Sequence, residues 1–119
     1  MAEATKENFR ELVADGQVLV DVWGPDCASC LALMPHVEKL AGDSGGSLRV
    51  VKLEAPKARR LCMELQLMGL PAFLLFRDGA EVARINGPQI TADALTAWLE
   101  QNQDPGPSGP PQEEEEVPE

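Results

Sequence analysis

Apolar residues recur along the chain with two different spacings, and the change from one to the other predicts alternating helices and strands. Spacings of three and four residues predict helices at 5–14 with Thr5 as the N-cap, at 27–41, at 57–66 and after a further N-cap at Thr91. Apolar runs predict strands at 18–23, 48–53 and 72–76, and a turn at 77–79 leads into another at 81–85. Strands joined by helices pair in parallel, so the sequence predicts an α/β fold with a central mixed β-sheet, helices on both faces and a hairpin edge.

The last part of the chain differs in composition from the rest. Residues 103–119 hold five of the ten prolines and a single apolar side chain, Val117. They cannot bury enough surface to offset the entropy lost on ordering. We therefore predict a folded domain at 1–102 and a disordered acidic tail at 103–119. Such a tail either keeps the domain in solution or acts as a docking or regulatory segment.

The charge of the chain excludes some classes of partner. The net charge is −10, from 20 acidic and 10 basic side chains, and six of the acids but no base lie at 104–119. Because phosphates would be repelled, we expect neither nucleic acid nor an anionic membrane as a partner. No stretch approaches the roughly 18 apolar residues of a membrane span, and the first residues do not have the pattern of a secretory signal. These features predict a cytoplasmic protein.

Two cysteines, Cys27 and Cys30, lie where the strand at 18–23 meets the helix at 27–41. At the first turn of a helix, unpaired N–H groups and the positive end of the dipole would stabilise a thiolate at Cys27. Cys30 is one turn further along the same side, within reach of a disulfide, and is expected to be more buried. One thiol can therefore attack while the other resolves.

Other uses of a Cys-x-x-Cys pair fit this chain less well. Zinc needs four ligands, and only Cys62 and His36 remain, with His36 poorly placed on the same helix as Cys30. Haem attachment requires histidine directly after the second cysteine, where this chain has Leu31. We therefore predict no metal and no cofactor. Cys62 is expected to be a partly buried core residue, with a regulatory thiol as the alternative.

Several of these features together resemble the thioredoxin family, over roughly residues 4–101. The resemblance implies the thioredoxin fold and a thiol-disulfide oxidoreductase that reduces protein disulfides. The family's opening strand is at best a stub here, at 2–4, and the acidic tail has no counterpart. The matching features are the strand at 18–23, the Cys-Ala-Ser-Cys motif at 27–30, Pro35 in a kinked helix, the cis-proline and hairpin segment at 69–79, and Gly87 before the last helix.

The resemblance implies catalytic roles for four residues. Cys27 would be the nucleophile that attacks a client disulfide, and Cys30 would resolve the mixed disulfide, so that the two form a redox-active disulfide. Asp21, a carboxylate in an apolar strand, would have a raised pKa and accept a proton from Cys30 through water. Lys52, at the matching place on the next strand, would be the charge partner of Asp21. The alternatives are a partly solvated Asp21 and an exposed Lys52 of no functional meaning.

The resemblance also implies a substrate-binding surface. Pro71 would be cis, and Leu70 before it would offer its backbone N–H and C=O to an extended client, as in strand addition. Trp23 would shield the thiols, and Gly87 would complete the surface. The expected partners are disulfide-containing client proteins and an upstream thiol reductase, and the protein is expected to be a monomer.

This chain departs from the usual family pattern at the redox motif itself. Asp26 precedes the first cysteine, where most members have an aromatic residue, and Ala28-Ser29 replace Gly-Pro. Asp26 is expected to disfavour the Cys27 thiolate, although it could also cap the helix. The changes leave two alternatives to a reductase: a carrier or chaperone with the same fold, and a redox-sensing interaction module that uses the tail.

Overall fold

The structure is a computed structural model, and it describes residues 1–43 and 46–103. The predicted tail lies outside the described residues from position 104 onward. None of the helices among the described residues is long and apolar enough to cross a bilayer. In chain order the elements are β1 (Ala2–Ala4), α1 (Phe9–Leu12), β2 (Gln17–Trp23), α2 (Ala28–Asp43), β3 (Arg49–Glu54), a 3₁₀ turn (Ala55–Lys57), α3 (Arg59–Glu64), β4 (Ala72–Arg77), β5 (Ala80–Asn86) and α4 (Ala92–Asn102).

The strands form one mixed five-stranded sheet in the order β1-β3-β2-β4-β5. β3 is parallel to both β1 and β2, whereas β4 is antiparallel to β2 and to β5. The α/β prediction with a mixed sheet is confirmed. The expectation that helix-linked strands all pair in parallel is wrong for β4. The reason is the short connection between β3 and β4. α3 has six residues and rises only about 9 Å, so it does not return the chain to the other end of the sheet. The chain therefore enters β4 at Ala72, directly beside Val22 at the carboxyl end of β2.

Each face of the sheet carries its own hydrophobic core, because successive side chains along a strand point to opposite faces. Val18, Val20 and Val22 pack with Phe9 of α1 and Leu61 of α3 on one face. On the other face, buried residues of β2, β3 and β4 pack against α2 and α4: Leu19, Val50, Phe73 and Leu75 meet Leu33, Val37, Leu95 and Leu99. Asp21 follows the alternation of Leu19 and therefore belongs to the face that α2 covers.

Two predicted helices are shorter in the structure. The helix expected at 5–14 is α-helical only at Phe9–Leu12, after a turn closed by two reciprocal hydrogen bonds. In that turn the Thr5 N–H donates to Asn8 Oδ1 at 2.6 Å and the Asn8 N–H donates to Thr5 Oγ1 at 3.2 Å, so Thr5 caps the turn that leads into α1. The helix expected at 57–66 is divided into the 3₁₀ turn and α3, because Ala58 leaves the helical region at φ −141° and ψ 48° and is buried.

Candidate active site

Cys27 and Cys30 are joined by a disulfide at the start of α2, with their Cα atoms 5.3 Å apart. Cys27 is the N-cap rather than the first helical residue, since its carbonyl accepts the Leu31 N–H at 3.1 Å. Its Sγ accepts the Cys30 N–H at 3.1 Å, which satisfies one of the unpaired donors at the helix start. Cys30 is buried at 1% exposure, whereas Cys27 is half-buried. An incoming sulfur can therefore reach only Cys27.

Asp21 is the one buried charged residue among those that the structure describes. It lies in the middle of β2 between Lys52 of β3 and Phe73 of β4. Neither carboxylate oxygen has a hydrogen-bond partner among the described residues. Burial raises the pKa of Asp21 from 3.8 to about 7, and the positive charge of Lys52 acts in the opposite direction. The expected raised pKa is therefore present, and the alternative of a partly solvated carboxylate is wrong.

Lys52 and Trp23 lie close to each other, and neither lines the groove at Cys27. Lys52 is half-buried in register with Asp21, and its Nζ lies 5.7 Å from the centroid of the Trp23 ring. This distance is within the range of a cation–π contact. Both side chains line a cavity of 210 Å³ at the carboxyl ends of β1, β2 and β3. Trp23 thus contacts the charge partner of Asp21, and its expected role in shielding the thiols stays a prediction.

The Leu70–Pro71 peptide bond is cis, as predicted. The carbonyl of Pro71 accepts the Gly87 N–H at 2.9 Å, so the two predicted binding residues Pro71 and Gly87 are directly joined. Gly87 has φ +120°, and a Cβ there would collide with the side chain of Gln89. Only glycine therefore fits this link without strain. Leu70 is half-buried and Pro71 is buried.

An open groove of 270 Å³ runs beside the half-buried sulfur of Cys27. It lies between the start of α2 and the cis-proline loop, and its opposite walls approach closely at Gly24. A Cβ on Gly24 would lie 3.3 Å from Leu70 Cδ1 and 3.8 Å from Pro56 Cδ, so a larger residue would narrow the groove. The lining residues are Gly24, Pro25, Asp26, Cys27, Pro56 and Leu70.

Asp26 and Leu31 determine the charge and polarity of the surface near the start of α2. Asp26 is exposed and directly precedes Cys27, and no side-chain cap from it is present on α2 among the described residues. The alternative expectation was that Asp26 caps α2. The Cys27 sulfur instead accepts the N–H group of Cys30 at the start of this helix. Leu31, in the first turn of α2, is 46% exposed and adds an apolar side chain to the surface beside the cysteine pair.

His36 and Cys62, the two further residues considered as zinc ligands, make their contacts elsewhere and not with the Cys27–Cys30 pair. His36 Nε2 is hydrogen-bonded to Thr96 Oγ1 of α4 at 2.7 Å. Cys62 is half-buried on α3 against the opposite core, and burial raises the pKa of its thiol. Over residues 1–43 and 46–103, no three metal-ligating side chains are gathered at one place.

Residues 1–101 match the family model of thioredoxins. The chain belongs to the thioredoxin family. A thioredoxin of Acetoanaerobium sticklandii is 34% identical over 101 residues, covering 83% of this chain and 96% of the relative. Thioredoxin C-2 of Corynebacterium nephridii is 33% identical over 104 residues, covering 86% of this chain and 95% of the relative. With its Cys27–Cys30 disulfide, this thioredoxin family member is a thiol-disulfide oxidoreductase that acts on disulfide substrates.

Sequence reasoning missed two residues that shape this thioredoxin site, Pro56 and Gly24. Pro56 belongs to the 3₁₀ turn that follows β3, and Gly24 follows β2. β2 and β3 are parallel neighbours, so their carboxyl ends meet at one edge of the sheet. The signal that could have found both residues is therefore their position directly after two adjacent parallel strands, where ligand sites of α/β folds form.

Proposed function

We propose that the protein reduces disulfide bonds of client proteins, with Cys27 as the nucleophile and Cys30 as the resolving thiol. The observation that carries this proposal is the asymmetry of the pair, with Cys27 accessible at the groove and Cys30 at 1% exposure behind it. The helix start favours negative charge at the Cys27 sulfur, and the Cys30 N–H already donates to that sulfur. Cys30 is too buried to meet a client and can attack only the Cys27 sulfur, once that sulfur is bonded to a client.

The exchange proceeds in two steps that move two electrons to the client. The Cys27 thiolate attacks one sulfur of the client disulfide, and the second client sulfur leaves as a thiolate that takes up a proton. Cys30 loses its proton and attacks the Cys27 sulfur, and the first client sulfur leaves in turn. The client is then a dithiol, and the protein carries the Cys27–Cys30 disulfide that the structure contains.

Asp21 is the proposed acceptor of the Cys30 proton. It lies on the face of the sheet that α2 covers, it is unpartnered among the described residues, and its pKa is raised to about 7. A carboxylate with this pKa takes up and releases a proton near neutral pH, as a general base requires. Lys52, next to it in register, keeps the carboxylate from becoming still less acidic.

The proposed client site is the groove together with the cis-proline loop. Leu70 would pair with an extended client through its backbone N–H and C=O, and Pro71 and Gly87 would hold that loop in place. The hydrogen bond from Gly87 to Pro71 supports this arrangement, as does the apolar lining supplied by Leu70 and Pro56. Trp23, which directly precedes Gly24 of the groove lining, would border the site.

We further propose that the protein works as a monomer in the cytoplasm, where an upstream thiol reductase restores its dithiol. A cytoplasmic reductant must be returned to the dithiol after each turnover, which requires a donor of two electrons. Transfer of these electrons to clients would contribute to electron transport and redox homeostasis in the cell.

The roles of the cysteines are tested by reduction of insulin with dithiothreitol as the electron donor. We expect Cys27→Ser to abolish catalysis, and Cys30→Ser to accumulate a mixed disulfide detectable by mass spectrometry. Cys62→Ser is the matched control and should keep full activity, because Cys62 lies on the opposite face of the sheet. Undiminished activity of Cys27→Ser, or an inactive wild type, would favour a carrier or a redox-sensing module instead.

The role of Asp21 is tested by the pH dependence of the resolving step. Below about pH 7 the carboxyl group is protonated and cannot accept the Cys30 proton, so the rate of mixed-disulfide resolution should fall as pH decreases. Asp21→Asn should lower this rate above pH 7 by about 10² or more and remove the inflection near neutral pH. The matched control is Asp26→Asn at the exposed neighbour of Cys27. A profile that is unchanged in Asp21→Asn would contradict the role.

A further inference from the structure

Glu81 and Arg84 lie on the same face of β5, although residues three positions apart in a regular strand point to opposite faces. The pairing with β4 explains this, because Arg84 is opposite Leu74 and the register then shifts. Glu81 is opposite Phe76, so Val82 is the extra residue of a β-bulge. Leu74 and Phe76 both belong to the core that α1 and α3 cover. The bulge therefore turns Glu81 and Arg84 together toward the side of α3.

The guanidinium group of Arg84 joins β5 to the end of α3 through all three of its nitrogens. Nη2 donates to the Leu65 carbonyl at 2.8 Å, and Nη1 donates to the Gln66 carbonyl at 3.1 Å. Nε and Nη2 also donate to the two carboxylate oxygens of Glu81, Nη2 at 2.7 Å. The donors of a guanidinium are fixed in a planar fork, so a carboxylate on one side orients the donors on the other. Glu81 thus holds Arg84 in the orientation that meets both carbonyls.

The two carbonyls belong to the turn where α3 ends and the chain continues toward the cis-proline. Gln66 has φ +57°, a left-handed conformation that costs free energy in a residue other than glycine. The Leu67 N–H donates to the Cys62 carbonyl at 3.1 Å, a bond typical of helix ends. The carbonyls of Leu65 and Gln66 take no part in that bond, and Arg84 supplies their donors. Arg84 therefore stabilises a turn that its own sequence disfavours.

Residues 68–70 connect this turn to Pro71 and make no backbone hydrogen bond with another described residue. Their N–H and C=O groups are thus free to pair with a client strand, as proposed for Leu70. The same lack of internal bonds means that the segment is positioned from its two ends. Arg84 fixes the turn before it, and the hydrogen bond from Gly87 to Pro71 fixes the residue after it. One anchor lies in β5 and the other directly follows it.

We propose that Arg84, oriented by Glu81, is a positioning residue that fixes the turn at Gln66 and so presents the backbone of Leu70 to clients in one place beside the groove. This inference rests on the client site proposed above. A loop that is already ordered loses less conformational entropy when a client binds, so the client binds more tightly. The partners of Arg84 do not line the groove at Cys27, so the reactivity of that sulfur should not depend on Arg84.

Arg49 provides a comparison within the same molecule. It also donates to two carbonyls, those of Leu12 and Asp15, at the end of α1 and in the turn that follows. None of the residues proposed for client binding lies there. If both arginines only stabilised the fold, replacing either one would affect client binding alike. Positioning by Arg84 predicts that client binding changes only when Arg84 is replaced.

The proposal is tested by separating client binding from thiol chemistry with two substrates of the full chain. Insulin is the client, with dithiothreitol as the electron donor, and hydroxyethyl disulfide is a small substrate offered to the prereduced protein. Arg84→Ala should raise KM for insulin about tenfold and change kcat less than about twofold. Its rate with hydroxyethyl disulfide should equal that of the wild type. An unchanged KM for insulin, or an equal loss of rate with both substrates, would overturn the proposal.

Arg49→Ala is the matched control for this experiment, because it also removes two hydrogen bonds to carbonyls. Its KM for insulin should equal that of the wild type at a temperature where both variants are folded. A KM raised as much in Arg49→Ala as in Arg84→Ala would assign both effects to general destabilisation and contradict a positioning role.

Two further substitutions test the pair and do not depend on the stability of the alanine variant. Arg84→Lys keeps the charge, but a single ammonium group cannot bridge two carbonyls and a carboxylate, so most of the rise in KM should remain. Glu81→Gln should raise KM about threefold, and should add nothing when combined with Arg84→Ala. Additive effects in the double variant would show that Glu81 does not act through Arg84.

Hydrogen exchange reports on the turn without any activity. The amides of Gln66 and Leu67 are hydrogen-bonded in the turn, and they should exchange about tenfold faster in Arg84→Ala while amides of β2 stay protected. Equal exchange in both proteins would show that Arg84 does not fix the turn. A wild type that reduces neither substrate would refute the reductase function and client positioning with it, whereas the exchange experiment would still decide whether Arg84 fixes the turn.

Discussion

The two ends of the central sheet differ in how their polar groups are hydrogen-bonded. At the carboxyl end of β2 lie the disulfide, the cis-proline loop and the open groove, close to an unpartnered buried carboxylate, Asp21. At the opposite end, polar groups are bonded to one another across distant parts of the chain. Arg49 donates to the carbonyls of Leu12 at 3.1 Å and Asp15 at 2.7 Å, and Arg77 donates to the carbonyl of Asn102 at 2.9 Å.

The turn between β4 and β5 shows the same pattern at the opposite end. Asp78 and Gly79 both have positive φ, which matches the tight hairpin turn that the sequence predicted. Asp78 accepts the Gly16 N–H at 2.8 Å through its side chain and donates its own N–H to the Gly16 carbonyl at 2.9 Å. One buried atom is an exception, since Arg77 Nε has no partner among the described residues.

The difference between the ends indicates how this small domain combines stability with reactivity. Buried polar groups without partners cost free energy, and here the carboxylate of Asp21 remains unpaired on the face of the sheet that α2 covers. Hydrogen bonds at the opposite end join β3 to α1 and β4 to α4, far apart in sequence. We expect removal of the Asp21 charge and removal of the Arg49 hydrogen bonds to have opposite effects on stability.

The largest effect on stability is expected for Asp21→Asn. The folded protein keeps the Asp21 proton up to about pH 7 whereas the unfolded chain releases it near 3.8, so stability falls as pH rises between these values. Asp21→Asn should remove this loss and raise the free energy of unfolding above pH 7 by about 4 kcal/mol, with little change at pH 4. Urea unfolding at both pH values measures it.

Asp26→Asn provides the control for this substitution, because Asp26 is exposed and has water as its partner. Its free energy of unfolding should follow the wild type across the pH range. A wild type whose stability does not fall relative to Asp21→Asn between pH 4 and 8 would mean that the carboxylate finds a compensating partner.

At the opposite end, Arg49→Ala should lower the free energy of unfolding by about 2 kcal/mol, because two charge-assisted hydrogen bonds to α1 and the following turn are lost. Insulin reduction should be unchanged at a temperature where the variant is folded. Arg59→Ala, at an exposed arginine without an ion pair among the described residues, is the control and should change stability by less than about 0.5 kcal/mol. Equal losses in both variants would contradict the contrast between the ends.

The smallest effect is expected at Thr91, where α4 begins after the loop that contacts the cis-proline segment. Thr91 Oγ1 accepts the Ala94 N–H at 3.1 Å, as predicted for an N-cap. Thr91→Ala should therefore destabilise the protein by about 1 kcal/mol, and Thr91→Ser, which keeps the hydroxyl, should restore most of it. Thermal unfolding of the three proteins compares them. If the serine variant were as unstable as the alanine variant, the methyl group of Thr91 would contribute more to stability than the capping hydrogen bond does.

Residue types and their spacing over a few positions were sufficient to predict much of the fold and part of the site. The cysteine pair and the turn at 77–79 were predictable because their chemistry depends on neighbours in sequence, whereas the cis bond at Pro71 was implied by the family resemblance. The length of α1 and the break at Ala58 were not, since a short helix is decided by which residues the core can accept rather than by propensity. Pro56 was missed because its place in the groove depends on the position of a separate strand.

The sequence by itself determined the alternation of elements, the redox pair at a strand-to-helix junction and the concentration of acids at the end of the chain. Each of these follows from residue type and spacing over a few positions. Only the tertiary structure decided that β4 runs antiparallel beside β2, that Asp21 is buried without a partner among the described residues, and that Lys52 lies beside Asp21 and near the Trp23 ring. These properties depend on which strands are neighbours and on what excludes water, and both are set by packing between distant parts of the chain.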